Sequence, residues 1–244
     1  MTPAAAAAAA VAPSISAFGS TFMLDPAFYV VPSAQGFSGI DFYVAGRGGV
    51  LGDVAADVVS AAFGFFSPAA VRSMWERGRT VMAPRDAANL FADGCAEWSR
   101  PHFTADIDYA EVAELARRII AAMPVAGLPL FAAWRAVAAP TDPIGSAALA
   151  LHVLRELRGG AHVIGEMAAG LSPIETLLVN GGEATAQLFG HRGPFPDVSD
   201  MREQWEAGER TTNAIVAIGF EALDADELHR FVELVTALHA GIIA

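Results

Sequence analysis

Four residues within twelve positions, Arg155, Arg158, His162 and Glu166, carry groups that could act together on an anion or a carbonyl. Guanidinium groups offer paired, planar hydrogen bonds to a carboxylate, and an imidazole exchanges a proton near neutral pH. If one helix runs through Gly159-Gly160, all four share a face. The glycine pair reads equally well as a break or a close helix crossing, since each glycine costs about 1 kcal/mol in a helix interior. Tyr43 and Arg47 are the polar exceptions in the glycine-rich segment GFSGIDFYVAGRGGVLG, where small neighbours allow a tightly packed helix to turn both side chains inward. These positions define an expected small-molecule site. His162 and Tyr43 are its catalytic candidates, and Arg47, Arg155, Arg158, Glu166 and Trp134 its substrate-binding candidates. The structural alternative for the same residues is a buried polar tie between helices.

The elements that would position these groups are helices. Thr141 or Asp142 can cap a helix whose first residue is Pro143, because proline at that position loses no useful hydrogen bond. Ile144, Ala147, Ala148, Leu151 and Leu154 then form an apolar stripe at three- and four-residue spacing. Asp106 to Met123 is amphipathic, and Asp224 with Glu227 makes a capping pattern for a final helix to Ala240. Arg85 to Glu97 reads as a helix followed by a loop from Trp98 to Thr104. Pro173 starts a short helix that Asn180-Gly181-Gly182 ends, and GHRGPFPDVS from Gly190 reads as a loop. No segment alternates with period two. The expected fold is all-α, a compact multi-helix bundle with a single hydrophobic core and little or no sheet, organised as a disordered Ala-rich leader over residues 1–13 and a single helical domain over 14–244.

Composition narrows the chemistry. Apolar residues make up 54% of the chain, enough for a substantial core. The formal charge of -12 comes from 27 acidic residues against 15 basic ones, all arginine. The lack of lysine excludes a lysine Schiff base or a P-loop lysine, and the charge balance repels phosphate backbones at long range, so nucleic acid is not expected as a partner. The single Cys95 cannot form an intramolecular disulfide, and no Cys/His spacing resembles a zinc site. GRGG lacks the strand and distant acid of a dinucleotide fingerprint, and neither a nucleophile elbow nor an H-E-x-x-H motif occurs. No metal and no cofactor are therefore expected. The uncharged N-terminal stretch lacks a basic n-region and is broken by Pro3 and Pro13, so a cytoplasmic protein without a membrane segment, in one or two copies, is expected.

Three segments together resemble an actinobacterial family of helical proteins often labelled "helix-turn-helix family". Gly36, Phe37, Gly39, Tyr43, Ala45, Gly46, Arg47, Leu51 and Gly52 match its first motif. Arg155, Arg158, Gly159 and His162, followed by A-A-G-L, match the second, and Glu209 and Thr212 the third. Leu157, Gly160 and Asn213 depart from the usual His, Asp and Asp. The resemblance implies a helix-and-wing region between A-A-G-L and Glu209, the origin of the DNA-binding label. Here that part is short and shows no recognition-helix pattern.

Two readings follow. The first is a soluble helical protein binding an apolar small molecule with a carboxylate or carbonyl between helices, acting as a cofactor-independent acid/base enzyme of secondary metabolism. The alternative is a ligand-responsive regulator or partner-binding protein derived from a winged-helix family, without catalysis. The shortened region favours the first.

Overall fold

A computed structural model describes residues 2–242; Met1 of the expected leader and the last two residues of the expected 14–244 domain lie outside it. The chain is all-α. Its helices are α1 (Pro3–Leu24), α2 (Val30–Ala34), α3 (Asp41–Gly49), α4 (Ala56–Phe63), α5 (Pro68–Val81), α6 (Pro84–His102) and α7 (Tyr109–Ala122). They continue as α8 (Pro129–Trp134), α9 (Pro143–Ala168), α10 (Pro173–Leu188), α11 (Arg202–Phe220) and α12 (Ala225–Ala240). Among the described residues the sole β feature is an isolated bridge between Phe103 and Ile242.

α9 is the axis, with α1, α6, α7, α8, α10 and α11 packed against it. It starts where its sequence says it should. The Asp142 side chain accepts from the Gly145 N–H at 2.8 Å and Pro143 occupies the first turn. The helix runs unbroken through Gly159-Gly160, so the shared face of Arg158, His162 and Glu166 exists. Leu151, Leu154, Leu157 and Ala161 are buried along the same helix, in a core that also takes Phe18, Phe22, Phe91, Trp75 and Trp134.

α11 crosses α9 at two glycines. A Cβ on Gly165 would lie 2.6 Å from both the Gly208 carbonyl oxygen and Thr212 Oγ1, and a Cβ on Gly208 would lie 2.5 Å from the Glu166 carboxyl carbon. Small residues at the crossing let the helices approach closely enough for polar groups of one to meet those of the other.

The Ala-rich stretch differs from expectation. Residues 3–24 form α1, capped by Thr2 Oγ1 and packed on α11, α12 and α9; Ala4, Ala7, Ala8, Val11 and Ile15 are buried, and Phe18 and Phe22 lie against Trp98 and, for Phe22, Phe91 and His152. Alanine has the highest helix propensity, and its periodicity here delivers one continuous apolar face, with Pro13 on the exposed side. α1 is also long and apolar enough to cross a bilayer, although 56% of its apolar window is buried inside the protein. α6 extends through the expected Trp98–Thr104 loop as far as His102. α10 continues past the expected stop at Gly181-Gly182 with a kink at Gly182, whose φ of 67° only glycine adopts readily.

Candidate functional site

α3 and α9 meet at a buried ion pair. Arg47 donates from Nε to Glu156 Oε1 at 2.7 Å and from Nη2 to Oε2 at 2.9 Å, the two-pronged arrangement that fits a guanidinium to a carboxylate. Its Nη1 donates to the Tyr43 hydroxyl at 3.0 Å, and the guanidinium carbon lies 4.4 Å from the Phe63 ring centroid. Arg155 Nη1 adds a third contact to Glu156 Oε1 at 3.0 Å. Burial opposes the Arg47 charge, yet the Glu156 carboxylate holds its pKa above the usual guanidinium range. Burial alone would likewise raise Glu156, but Arg47, by charge and hydrogen bonds, brings it down to about 2. His152, one turn before Glu156, is fully buried among Phe22, Phe91 and Trp134. That burial lowers it to about 3, so it stays neutral.

A second cluster lies further along α9, at the crossing with α11. Arg158 donates from Nη2 to Glu209 Oε2 at 2.7 Å and from Nη1 to Asn213 Oδ1 at 2.8 Å. His162 Nδ1 lies 3.0 Å from Glu209 Oε1, 3.4 Å from Glu166 Oε1 and 3.5 Å from Thr212 Oγ1. The His162 contact is the main influence lowering Glu209, with Arg158 adding to it. Glu166 behaves oppositely. It is 1% exposed, neither carboxylate oxygen receives a hydrogen bond, and burial pushes it up to about 7 against the pull of His162.

Both clusters face one cavity of about 530 Å³, whose polar wall includes Arg47, Arg155, Glu156, Arg158, His162 and Glu209 and whose apolar wall includes Phe63, Phe66, Leu128 and Phe131. Five of the seven residues expected at the site therefore lie in or beside one hollow: Arg47, Arg155, Arg158 and His162 on its wall, and Glu166 behind His162. Tyr43 sits behind Arg47. Trp134 faces a separate hollow of about 440 Å³ between α7 and the start of α9, and reaches the first cluster through its indole N–H, which donates to the Arg47 carbonyl at 3.1 Å. Sequence reasoning passed over Glu156 and treated Glu209 and Asn213 merely as positions in a motif. An acid between Leu154 and Leu157 on a buried stripe was the available signal for Glu156.

A family described as the helix-turn-helix family matches residues 8–208. Curated proteins give no match, and neither do solved structures. The family match corrects two expectations. The first is that of a small-molecule-binding biosynthetic enzyme with a small-molecule ligand as partner, which yields to a regulator-like role. The second is the exclusion of nucleic acid, which rested on net charge and on the lack of a basic patch or recognition-helix pattern in the sequence; net charge is a sum over the whole surface and does not describe one helix face. With the match spanning most of its length, the chain belongs to the helix-turn-helix family.

Proposed function

We propose that the protein is a DNA-binding, regulator-like member of this family without catalytic activity, and that α4 and α5 form its DNA-facing helix pair. The observation that carries the reading is the family match over residues 8–208. Two helix pairs have the form of a helix, a four-residue turn with a left-handed glycine, and a second helix. They are α4–α5, with Gly64 at φ 60°, and α9–α10, with Gly170 at φ 89°. Charge separates them. α10 carries Glu175 and Glu183 and no basic residue, so it repels phosphate. α5 exposes Arg72, Arg77 and Arg79 while burying Val71, Met74 and Trp75. Its turn is braced by the Ser67 N–H donating to the Phe189 carbonyl at 2.9 Å and by His191 Nε2, 2.8 Å from the Phe65 carbonyl.

Each of the three arginines already holds a carboxylate: Arg72 pairs with Asp57, Arg77 with Asp41 at 2.6 Å and Arg79 with Asp53 at 2.6 Å. Phosphates must displace these acids, which predicts weak, strongly salt-dependent binding. In the same reading the chain is a cytoplasmic, actinobacterial member in which the loop following α10 stands in place of a full wing. Fluorescence anisotropy with a labelled duplex tests the assignment. Binding at 50 mM salt should weaken by 200 mM with a log–log slope of about -3 if three phosphates are neutralised. The triple variant R72A/R77A/R79A should lose it while keeping its helical circular dichroism, and R72A/R79A, which leaves the pair with buried Asp41 intact, should weaken it. Absence of wild-type binding at 50 mM salt, or an unchanged triple variant, would sink the proposal.

A further inference from the structure

We propose that His162, Glu166 and Glu209 form a binding site for a divalent transition-metal ion, with Zn²⁺ as the best-matched occupant. The three side chains each present one donor atom, and these atoms lie within 4.8 Å of one another. Zinc takes imidazole nitrogen and carboxylate oxygen at about 2.0–2.2 Å, which places neighbouring donors about 3.0 Å apart in octahedral and about 3.4 Å apart in tetrahedral coordination. His162 Nδ1 stands 3.0 Å from Glu209 Oε1 and 3.4 Å from Glu166 Oε1, so the imidazole already sits at ligand spacing from each carboxylate, and the donor oxygens of the two carboxylates lie within 4.8 Å of each other.

Glu166 is the independent sign of a missing partner. His162 Nδ1 stands nearer Glu209 Oε1, at 3.0 Å, than Glu166 Oε1, at 3.4 Å; as a ligand this nitrogen would carry no proton, the ring N–H lying on Nε2. Glu166 is left 1% exposed with neither oxygen receiving a hydrogen bond. Carboxylates removed from water normally have a cation or several donors. A metal ion among the three donor atoms would supply one, and Glu166, with Glu209 shared with Arg158, would offset part of its charge.

The surroundings hold the donors in place. His162 and Glu166 are one turn apart on α9. Glu209 is fixed through its other oxygen by Arg158, which is itself fixed by Asn213, leaving Oε1 turned toward the imidazole. Gly208 leaves the space that the Glu166 carboxylate occupies. His162 and Glu209 also line the 530 Å³ cavity, which gives an ion its route in and lets water complete the coordination. An imidazole with carboxylates selects zinc and its neighbours in the first transition row over Mg²⁺, which prefers an all-oxygen octahedron. This site does not depend on the DNA-binding reading.

The test uses the full chain, free of any affinity tag and stripped with a chelator, titrated calorimetrically with ZnCl₂ and followed in parallel by thermal denaturation. Wild type should take up about one ion per chain and melt at a higher temperature when loaded. Glu166→Gln preserves side-chain shape and should fold; it and His162→Ala should each weaken uptake by about tenfold or more. His229→Ala removes a rival exposed pair, His229 with Glu233 at 3.1 Å, and should leave uptake unchanged. X-ray absorption at the zinc edge should report one imidazole among oxygen ligands. No saturable uptake by wild type, full uptake by Glu166→Gln, loss of uptake in His229→Ala or effective competition by Mg²⁺ would each overturn the assignment.

Discussion

α9 carries the same pair twice, His152 with Glu156 and, ten residues later, His162 with Glu166, each a histidine one turn before a glutamate. Ten residues turn a helix by about 80° short of three full circles, so the two pairs face different neighbours. The first faces α3 and finds Arg47, which takes both oxygens of Glu156 and leaves the histidine neutral among aromatic rings. The second faces α11 and finds another acid, Glu209, whose arginine partner Arg158 bonds Glu209 and Asn213, while Glu166 receives no hydrogen bond. One sequence pattern thus yields a closed pair whose carboxylate is fully satisfied, beside a neutral histidine with no hydrogen-bond partner, and an open group of donors with a carboxylate to spare. The chemistry of a His–Glu repeat is set by the helix it meets, not by the repeat.

The largest expected effect is at the closed pair. Glu156→Gln leaves Arg47 buried with its charge uncompensated, and breaking such a pair from one side costs about 3–5 kcal/mol. In a chain of this size that lowers the melting temperature by roughly 6–20 °C. Arg47→Met with Glu156→Leu should recover much of the loss, because neither charge then remains buried. The pH profile carries the same signature. Glu156 is depressed to about 2 in the folded protein, so its contribution is complete above the ordinary carboxylate value of 4.5 and disappears as pH falls toward 2. The single variant should lack that acid-dependent segment of the stability curve. Equal melting temperatures for Glu156→Gln and wild type would contradict the description of the pair.

Gly208→Ala probes what brings the open cluster together. Its Cβ would land 2.5 Å from the Glu166 carboxyl carbon, so either the carboxylate or α11 must move. Overpacking of this kind costs about 1–3 kcal/mol. It should also separate Glu209 from His162, so DNA binding through α5 should survive while zinc uptake falls. Retention of full uptake would show that the crossing does not position the donors.

How far the sequence disclosed these features follows from the range of the interactions. Asp142 and Pro143 mark the start of α9, Asp224 and Glu227 the start of α12, and the spacing of Arg158, His162 and Glu166 their common face, because each depends on neighbours within one or two turns. Arg47 reaches Glu156 across 109 residues, and Arg158 reaches Glu209 across 51, distances at which local periodicity carries no information. The same limit explains the leader. Residues 3–12 show no charge or cap beyond Thr2 to announce a structured helix, and the surface of α11 and α12 that buries them lies at the other end of the chain. α10 outlasts Gly181-Gly182 because the chain turns at a left-handed glycine and resumes, and Ala186 then packs with Leu177 and Leu178 in a small core of its own.

The smallest effect is the most informative about the open cluster. In chelator-treated protein at pH 8, above the value of about 7 to which burial pushes Glu166, Glu166→Gln removes a buried charge that accepts no hydrogen bond and puts a neutral amide of the same shape in its place. No established hydrogen bond is lost, so stability should change by no more than about 1 kcal/mol, and in the stabilising direction, because the desolvated charge is gone. The contrast with Glu156→Gln is then one of sign as well as size, at two glutamates on one helix that are both 1% exposed. Urea denaturation of the two variants beside wild type measures it directly. A loss at Glu166→Gln approaching that at Glu156→Gln would mean that Glu166 has a partner of its own in the metal-free protein. The two halves of α9 would then differ only in which cation they hold.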